Sequence, residues 1–314
     1  MRDIFIKIMT ATDNINIFNT LSPTQEVSDE ITRQHGVSLF IKREDLNHPE
    51  IMGNKLRKLK YNIIEATQQN VSTLLSFGGA YSNHILALSA AGRIFGLNTI
   101  GIIRGEELAN KPLNPVLAMA CKNGMKLNFI SRSAYQKKTT IEFIDLLNKT
   151  HGEFYLIPEG GSNDLAIKGA TEILDDINGD YDVITCPCGT GGTVAGIIKG
   201  VHLQRASTNI LGFQVLNADH YIEDAIHSFL PAKTLSQTSW TINSDFHFGG
   251  YAKTNNKLLT FIKWFKQTHN IELDFIYTGK MMFGLYNLIQ TGYFRKGSRL
   301  LAIHTGGTQT ANVE

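Results

Sequence analysis

Residues 182–200 read DVITCPCGTGGTVAGIIKG: a short apolar run, a glycine-rich turn, then a second apolar stretch with helical character. A run that is apolar without alternation suits a strand covered on both faces of a parallel sheet. Gly189, Gly191 and Gly192 let the main chain turn tightly and point successive N–H groups inward. The start of the following helix adds a positive dipole end, so the turn can cradle an anion, and Thr190 and Thr193 can add hydroxyl donors. The same residues would also serve as a plain strand-to-helix turn. Val194 occupies the third glycine position of GxGxxG and no GxxxxGK[ST] occurs, which weakens dinucleotide and nucleoside-triphosphate readings.

Outward from this stretch the pattern repeats. The runs TLLSF, NTIGII, KLNFI, FYLI, ILGFQVL and RLLAIH have the same uninterrupted character, and amphipathic stretches at 55–69, 139–152 and 257–270 lie between them. Strands alternating with crossover helices predict an α/β fold. The most apolar window, 85–105, contains Arg93, Asn98 and the glycines Gly92, Gly96, Gly101 and Gly105, which fits helix, turn and buried strand better than a bilayer span. No internal repeat or low-complexity tract marks a domain boundary, and residues 206–246 are the least readable part.

With 314 residues and 42% hydrophobic content, the chain can bury a large core and is expected to form two lobes. Thirty basic against 28 acidic side chains leave a formal charge of +2, too even for a phosphate-tracking surface, so nucleic acid is not expected as a partner. Cys121, Cys186 and Cys188 are too few for a disulfide scaffold and suit a reducing compartment. The first thirty residues, with Asp3, Lys7 and Asp13 among them, lack a signal-peptide core. A cytoplasmic protein without a membrane segment is the expectation.

In GNKLRKL (53–59), Lys55 stands at the start of a helix with Arg57 and Lys58 close by. A positive helix end and neighbouring cations would lower its pKa, making it a candidate Schiff-base nucleophile, although a solvated basic face has the same pattern. In GGAYSNH (78–84), Ser82 and Asn83 are natural helix caps that could equally hold a carboxylate or a ring oxygen. The segments PEGGSN (158–163), GGY (249–251), YTGK (277–280) and HTGG (304–307) each read as glycine turns when taken singly. Tyr251 and Tyr277 taken alone suit packing, and His304 suits a satisfied interior histidine, because no metal-ligand spacing accompanies it. No metal is expected.

The ordered set GNKLRKL, GGAYSNH, PEGGSN, CGTGGT, GGY, YTGK and HTGG resembles the D-cysteine desulfhydrase and 1-aminocyclopropane-1-carboxylate (ACC) deaminase family from Leu39 to Thr308. The resemblance implies a tryptophan-synthase-β-like, fold type II enzyme of pyridoxal 5'-phosphate (PLP), with mostly parallel sheets flanked by helices. Its smaller lobe, 55–166, would be inserted in a larger one formed by 1–54 and 167–314. Lys55 would carry the cofactor and Gly189, Thr190, Gly191, Gly192 and Thr193 its phosphate. Asn83 would bind the ring hydroxyl oxygen, and Thr278 and Thr305 would also face the cofactor. Ser82, Asn83, His84, Tyr251 and Tyr277 would meet a small amino-acid substrate, with Ser82 and the two tyrosines also counted as catalytic. A homodimer is implied as well.

Within that family, ACC deaminases resemble VYEGK where this chain has IYTGK, and have leucine at the position of Thr305. Both differences favour the desulfhydrase branch, since a neutral hydroxyl at Thr278 supports a pyridinium poorly and β-elimination tolerates a weaker electron sink. The implied reaction is D-cysteine to pyruvate, hydrogen sulfide and ammonia, a lyase reaction, with hydrolase kept beside it as a class. Lys55 or a hydroxyl of Ser82, Tyr251 or Tyr277 would take the Cα proton. The alternatives are ACC opening to 2-oxobutyrate and ammonia, a PLP-binding protein without turnover, and, more distantly, a nicotinamide dehydrogenase. Tyr81, Ala252, Lys253 and Phe275 depart from the family pattern on the substrate side.

Overall fold

The computed structural model describes residues 16–204 and 207–307. Residues 1–15, part of the stretch read for an export signal, lie outside them, as does Thr308 at the end of the last motif.

In chain order the strands are β1 (Thr24–Val27), β2 (Ser38–Lys42), β3 (Thr73–Gly78), β4 (Asn98–Arg104), β5 (Lys126–Ile130), β6 (Tyr155–Ile157), β7 (Val183–Cys188), β8 (Asn209–Gln214), β9 (Trp240–Asn243) and β10 (Arg299–Ile303). The helices are α1 (Glu30–His35), α2 (Asn54–Gln68), α3 (Asn83–Phe95), α4 (Pro115–Lys122), α5 (Arg132–Gln136), α6 (Ile141–His151), α7 (Asp164–Thr171), α8 (Gly192–Gln204), α9 (Tyr221–Phe229), α10 (Ala232–Ser236), α11 (Asn256–His269) and α12 (Thr278–Gln290). One sheet runs β1-β2-β10-β7-β8-β9 and the other β5-β4-β3-β6. Every pairing is parallel except β1 with β2.

Each apolar run read from the sequence is a strand, and the three amphipathic stretches are α2, α6 and α11. The four-stranded sheet comes wholly from the chain between β2 and β7, which is how an inserted lobe arises. Its core gathers Leu56, Leu59, Leu74, Ile85, Leu88 and Ile103, but also Phe18 and Ile51 from before the expected lobe boundary. The window at 85–105 splits into most of α3, the left-handed turn at Gly96 and β4. Among the described residues no helix is long and apolar enough to cross a membrane.

The packing of α2, α7 and α8 brings the glycine turn after β7 against the start of α2. A Cβ at Gly169 of α7 would stand 1.9 Å from the Arg57 carbonyl oxygen of α2, and one at Gly196 of α8 would stand 2.4 Å from the Ala170 Cβ. Glycine at both contacts lets the three helices approach at backbone distance. The starts of α2 and α8 are then tied together by Asn54 Nδ2 donating to Thr193 Oγ1 over 2.7 Å.

Candidate active site

The motifs converge on one cavity of about 550 Å³, lined by Lys55, Lys58, Ser82, Asn83, His84, Gly189, Thr190, Gly191, Thr193, Tyr251, Tyr277 and Thr305 among others. The start of α2 fixes Lys55. Gly53 has φ +72°, and a Cβ there would lie 1.9 Å from the Thr305 carbonyl oxygen, so this turn requires glycine. Asn54 N–H donates to that same oxygen over 3.2 Å, pressing the helix start against the loop after β10.

Burial brings the Lys55 amine down to about 8. The cause differs from the one the sequence suggests: neighbouring Arg57 is neutralised, its guanidinium donating twice to Glu44 at 3.0 Å. Lys58, one turn on, is 1% exposed. Burial first, and the Lys55 charge second, drive Lys58 well below the ordinary lysine value. Its Nζ donates to Ser162 Oγ over 2.9 Å, and among the described residues no carboxylate pairs with it.

That amine sits at the glycine turn after β7. A Cβ at Gly192 would be 2.6 Å from Ser162 Oγ and 2.9 Å from Lys58 Nζ, and a Cβ at Gly160 would be 2.7 Å from Thr190 Oγ1. Side chains at these positions would fill the cradle. The helix start of α8, a buried lysine amine with no carboxylate partner and the Ser162 and Thr190 hydroxyls, 2.7 Å apart, together suit a phosphate. Lys58, Ser162 and Asn54 are absent from the residues picked from the sequence. Lys58 could have been found from its i+3 spacing to Lys55, which places both on one helix face.

On the opposite side, Ser82 caps α3, its Oγ accepting from Ile85 N–H over 3.2 Å while its own proton stays available. His84 is buried, with Nε2 2.8 Å from Ser76 Oγ and Nδ1 without a partner. Burial, followed by the charges of Lys55 and Lys58, keeps its ring neutral. Tyr251 and Tyr277 meet edge to face with centroids 6.0 Å apart, and the Tyr251 hydroxyl donates to the Tyr81 carbonyl over 3.3 Å. Burial raises Tyr251 to about 12 and Tyr277 well above the usual phenol value, so both stay protonated at neutral pH. The outer wall carries Arg104, whose guanidinium lies 5.6 Å from the Tyr135 ring centroid.

Of the residues picked from the sequence, Gly192 and Thr278 do not line the cavity, and Gly192 sits in the turn beside it while Thr278 lies behind its wall. Thr278 is fully buried; its hydroxyl donates to Asp274 Oδ2 over 2.7 Å and accepts from Asp274 N–H. Asp274, which sequence reasoning missed, also accepts from the N–H groups of Ile276, Tyr277 and Thr278. A Cβ at Gly307 would stand 3.1 Å from its Oδ2 and 2.9 Å from Asn83 Nδ2, so the negative charge lies directly behind the cavity wall. Thr278 therefore does not by itself make a weaker electron sink, because a carboxylate is coupled to its hydroxyl. His304 is a satisfied interior residue, with Nε2 2.6 Å from the Glu272 carbonyl. Among the described residues no group of three or more His, Cys, Asp or Glu is placed to hold a metal.

The family described as "pyridoxal-phosphate dependent enzyme" matches residues 21–306. A bifunctional D-cysteine desulfhydrase/1-aminocyclopropane-1-carboxylate deaminase of Arabidopsis thaliana is 32% identical over 292 residues, 87% of this chain and 73% of the relative. A putative 1-aminocyclopropane-1-carboxylate deaminase of Thermotoga maritima is 29% identical over 92% of this chain and 95% of its own. Among solved structures, an ACC deaminase homologue superposes with a TM-score of 0.78 at 26% identity, covering 92% of this chain and 90% of that one. The match corrects one expectation. PLP chemistry loosens bonds around an amino acid's Cα, so lyase stands and hydrolase does not.

Proposed function

Because the chain belongs to the pyridoxal-phosphate dependent enzymes of fold type II, with PLP as its cofactor, we propose that it catalyses a deaminating β-elimination on a small amino acid, with D-cysteine as substrate. When bound, PLP supplies an electron sink for the substrate's Cα. The chain's own groups divide the remaining work. The turn Gly189–Thr193 with Lys58 and Ser162 holds the phosphate. Lys55 holds the cofactor and, as an amine near neutrality, takes the Cα proton. The N–H groups at the start of α3, with Ser82, Asn83 and His84, receive the substrate carboxylate.

The observation that carries the choice of elimination is the pair of phenols, Tyr251 and Tyr277, that line the same cavity as Lys55 with ring centroids 6.0 Å apart. Two half-buried neutral phenols in the cavity that holds the amine are hydrogen-bond donors, suited to a departing thiolate, and poor bases or nucleophiles. The D-cysteine activity in the name of the 32% identical Arabidopsis relative supports the same reading. ACC deamination is the second reading, favoured by the names of the Thermotoga relative and the superposed structure.

A panel of D- and L-cysteine, D-serine, β-chloroalanine and ACC, followed for keto acid, tests both. Pyruvate with sulfide from D-cysteine supports the first, and 2-oxobutyrate from ACC alone replaces it with the second. No keto acid from any of them leaves a cofactor-binding protein without turnover. The same reading places the lobes at 55–166 and at 1–54 with 167–314, in a cytoplasmic homodimer whose mass sedimentation would check.

A further inference from the structure

Lys280 is 1% exposed and lies in the first turn of α12, yet it pairs with no carboxylate among the described residues. Its Nζ instead points at three main-chain carbonyls: Gly250 at 2.7 Å, His247 at 2.8 Å and Val215 at 3.5 Å. Three acceptors converging on one point match the three donors of an ammonium. Convergent carbonyl dipoles repel one another unless a cation stands between them. Burial draws Lys280 down to about 8, with Asp274 opposing, so it carries its charge at neutral pH.

The segment it grips needs gripping. Phe248, Gly249, Gly250 and Ala252 have φ of +56°, +90°, +117° and +55°. For the phenylalanine and the alanine this left-handed backbone is strained, so the loop holds its shape only where its surroundings impose it. The surroundings come from α12: Lys280 through the carbonyls, and Phe283 through its ring, 5.0 Å from that of Phe248. Between these strained residues stands Tyr251, which reaches across the cavity mouth to the Tyr81 carbonyl. Tyr277 immediately precedes the same helix, so one turn of α12 orients both phenols.

We infer that Lys280 is a positioning residue, a built-in cation that cages the carbonyls of the 247–250 loop and sets Tyr251 against Tyr277 over the substrate. The ammonium does the work that a bound alkali ion would do in a carbonyl cage, and the enzyme needs no such ion for this loop. The importance given to Tyr251 rests on the proposed elimination; the caging itself does not.

The test uses the holoenzyme at pH 7. Lys280→Met keeps the stem and removes the charge. It is expected to leave the visible absorbance of the bound cofactor in place, speed amide exchange at 247–252, and lower kcat roughly 100-fold, the scale of a misplaced reacting group. Lys280→Ala is expected to regain activity saturably with ethylammonium or potassium chloride, and not with choline chloride, whose cation is too large for the cage. Wild-type turnover should be equal in potassium, sodium and Tris buffers.

Wild-type exchange at 247–252, which needs no variant, must show protection. Unprotected amides there, or wild-type exchange and kcat in Lys280→Met, would overturn the inference. If no amino acid is turned over, the elimination fails on its own, while the exchange and cofactor readouts still decide for or against the cage.

Discussion

Replacing Lys58 by methionine separates what the cradle costs from what it does. The side chain is 1% exposed, and its Nζ has the Ser162 hydroxyl 2.9 Å away as its partner. In the cofactor-free protein this amine is buried without a carboxylate partner, where burial and the Lys55 charge disfavour its charged form, and a methionine of similar length and volume removes that cost. The apoprotein of Lys58→Met should therefore unfold at an equal or higher midpoint than wild type. With PLP bound, the phosphate at the start of α8 favours the protonated form, and Lys58 faces it as an ammonium. A hydrogen bond between charged partners contributes about 1.5–3 kcal/mol, so the variant should bind PLP roughly 10- to 150-fold more weakly. Titrating each apoprotein with PLP at pH 7, followed by absorbance, gives the ratio of Kd values, and a thermal melt gives the sign of the apoprotein change. A Kd within twofold of wild type, or an apoprotein clearly destabilised, would refute the assignment of Lys58 to the phosphate.

Two further results are expected from buried ionisable groups. In the apoprotein, labelling of Lys55 by an amine reagent, read by peptide mass, should rise with a midpoint near pH 8, the value to which burial brings it, and not near the 10.5 of an exposed lysine. Asp29 accepts from the Tyr286 hydroxyl at 2.5 Å and lies 3.1 Å from His269 Nε2, and these contacts outweigh burial to hold its carboxyl at about 2. Because the unfolded chain binds the proton more tightly, this stabilisation is complete above pH 4 and is lost as pH falls through 2. Asp29→Asn should cost about 2 kcal/mol at pH 7 by urea denaturation, and the difference from wild type should shrink below pH 4.

The fold was readable where burial on both faces leaves an uninterrupted apolar run, as in β3, β4, β7, β8 and β10. It was hidden where a strand breaks that rule. β2 ends on Lys42, a fully buried lysine that reads as polar but pairs with Asp176 at 2.5 Å. β1 and β9 are sheet edges of four residues each, only partly buried, and carry too little pattern to be seen. The glycine turn announced its chemistry because a cradle made of main chain needs glycines at fixed places. Lys55 stood out only through the ordered motifs, since composition does not separate it from Arg57 two residues on, which points to Glu44. Asp274 and Lys280 were invisible as site residues because their main partners are backbone groups, which no sequence pattern displays.

Everything proposed for the site depends on which lysine carries the cofactor. Reducing the PLP-loaded protein with borohydride fixes the link, and digestion followed by peptide mass locates it. The expected result is a single labelled peptide carrying the modification on Lys55. Label on Lys58, Lys280 or any other lysine, or no label in a protein that has taken up the cofactor, would contradict it.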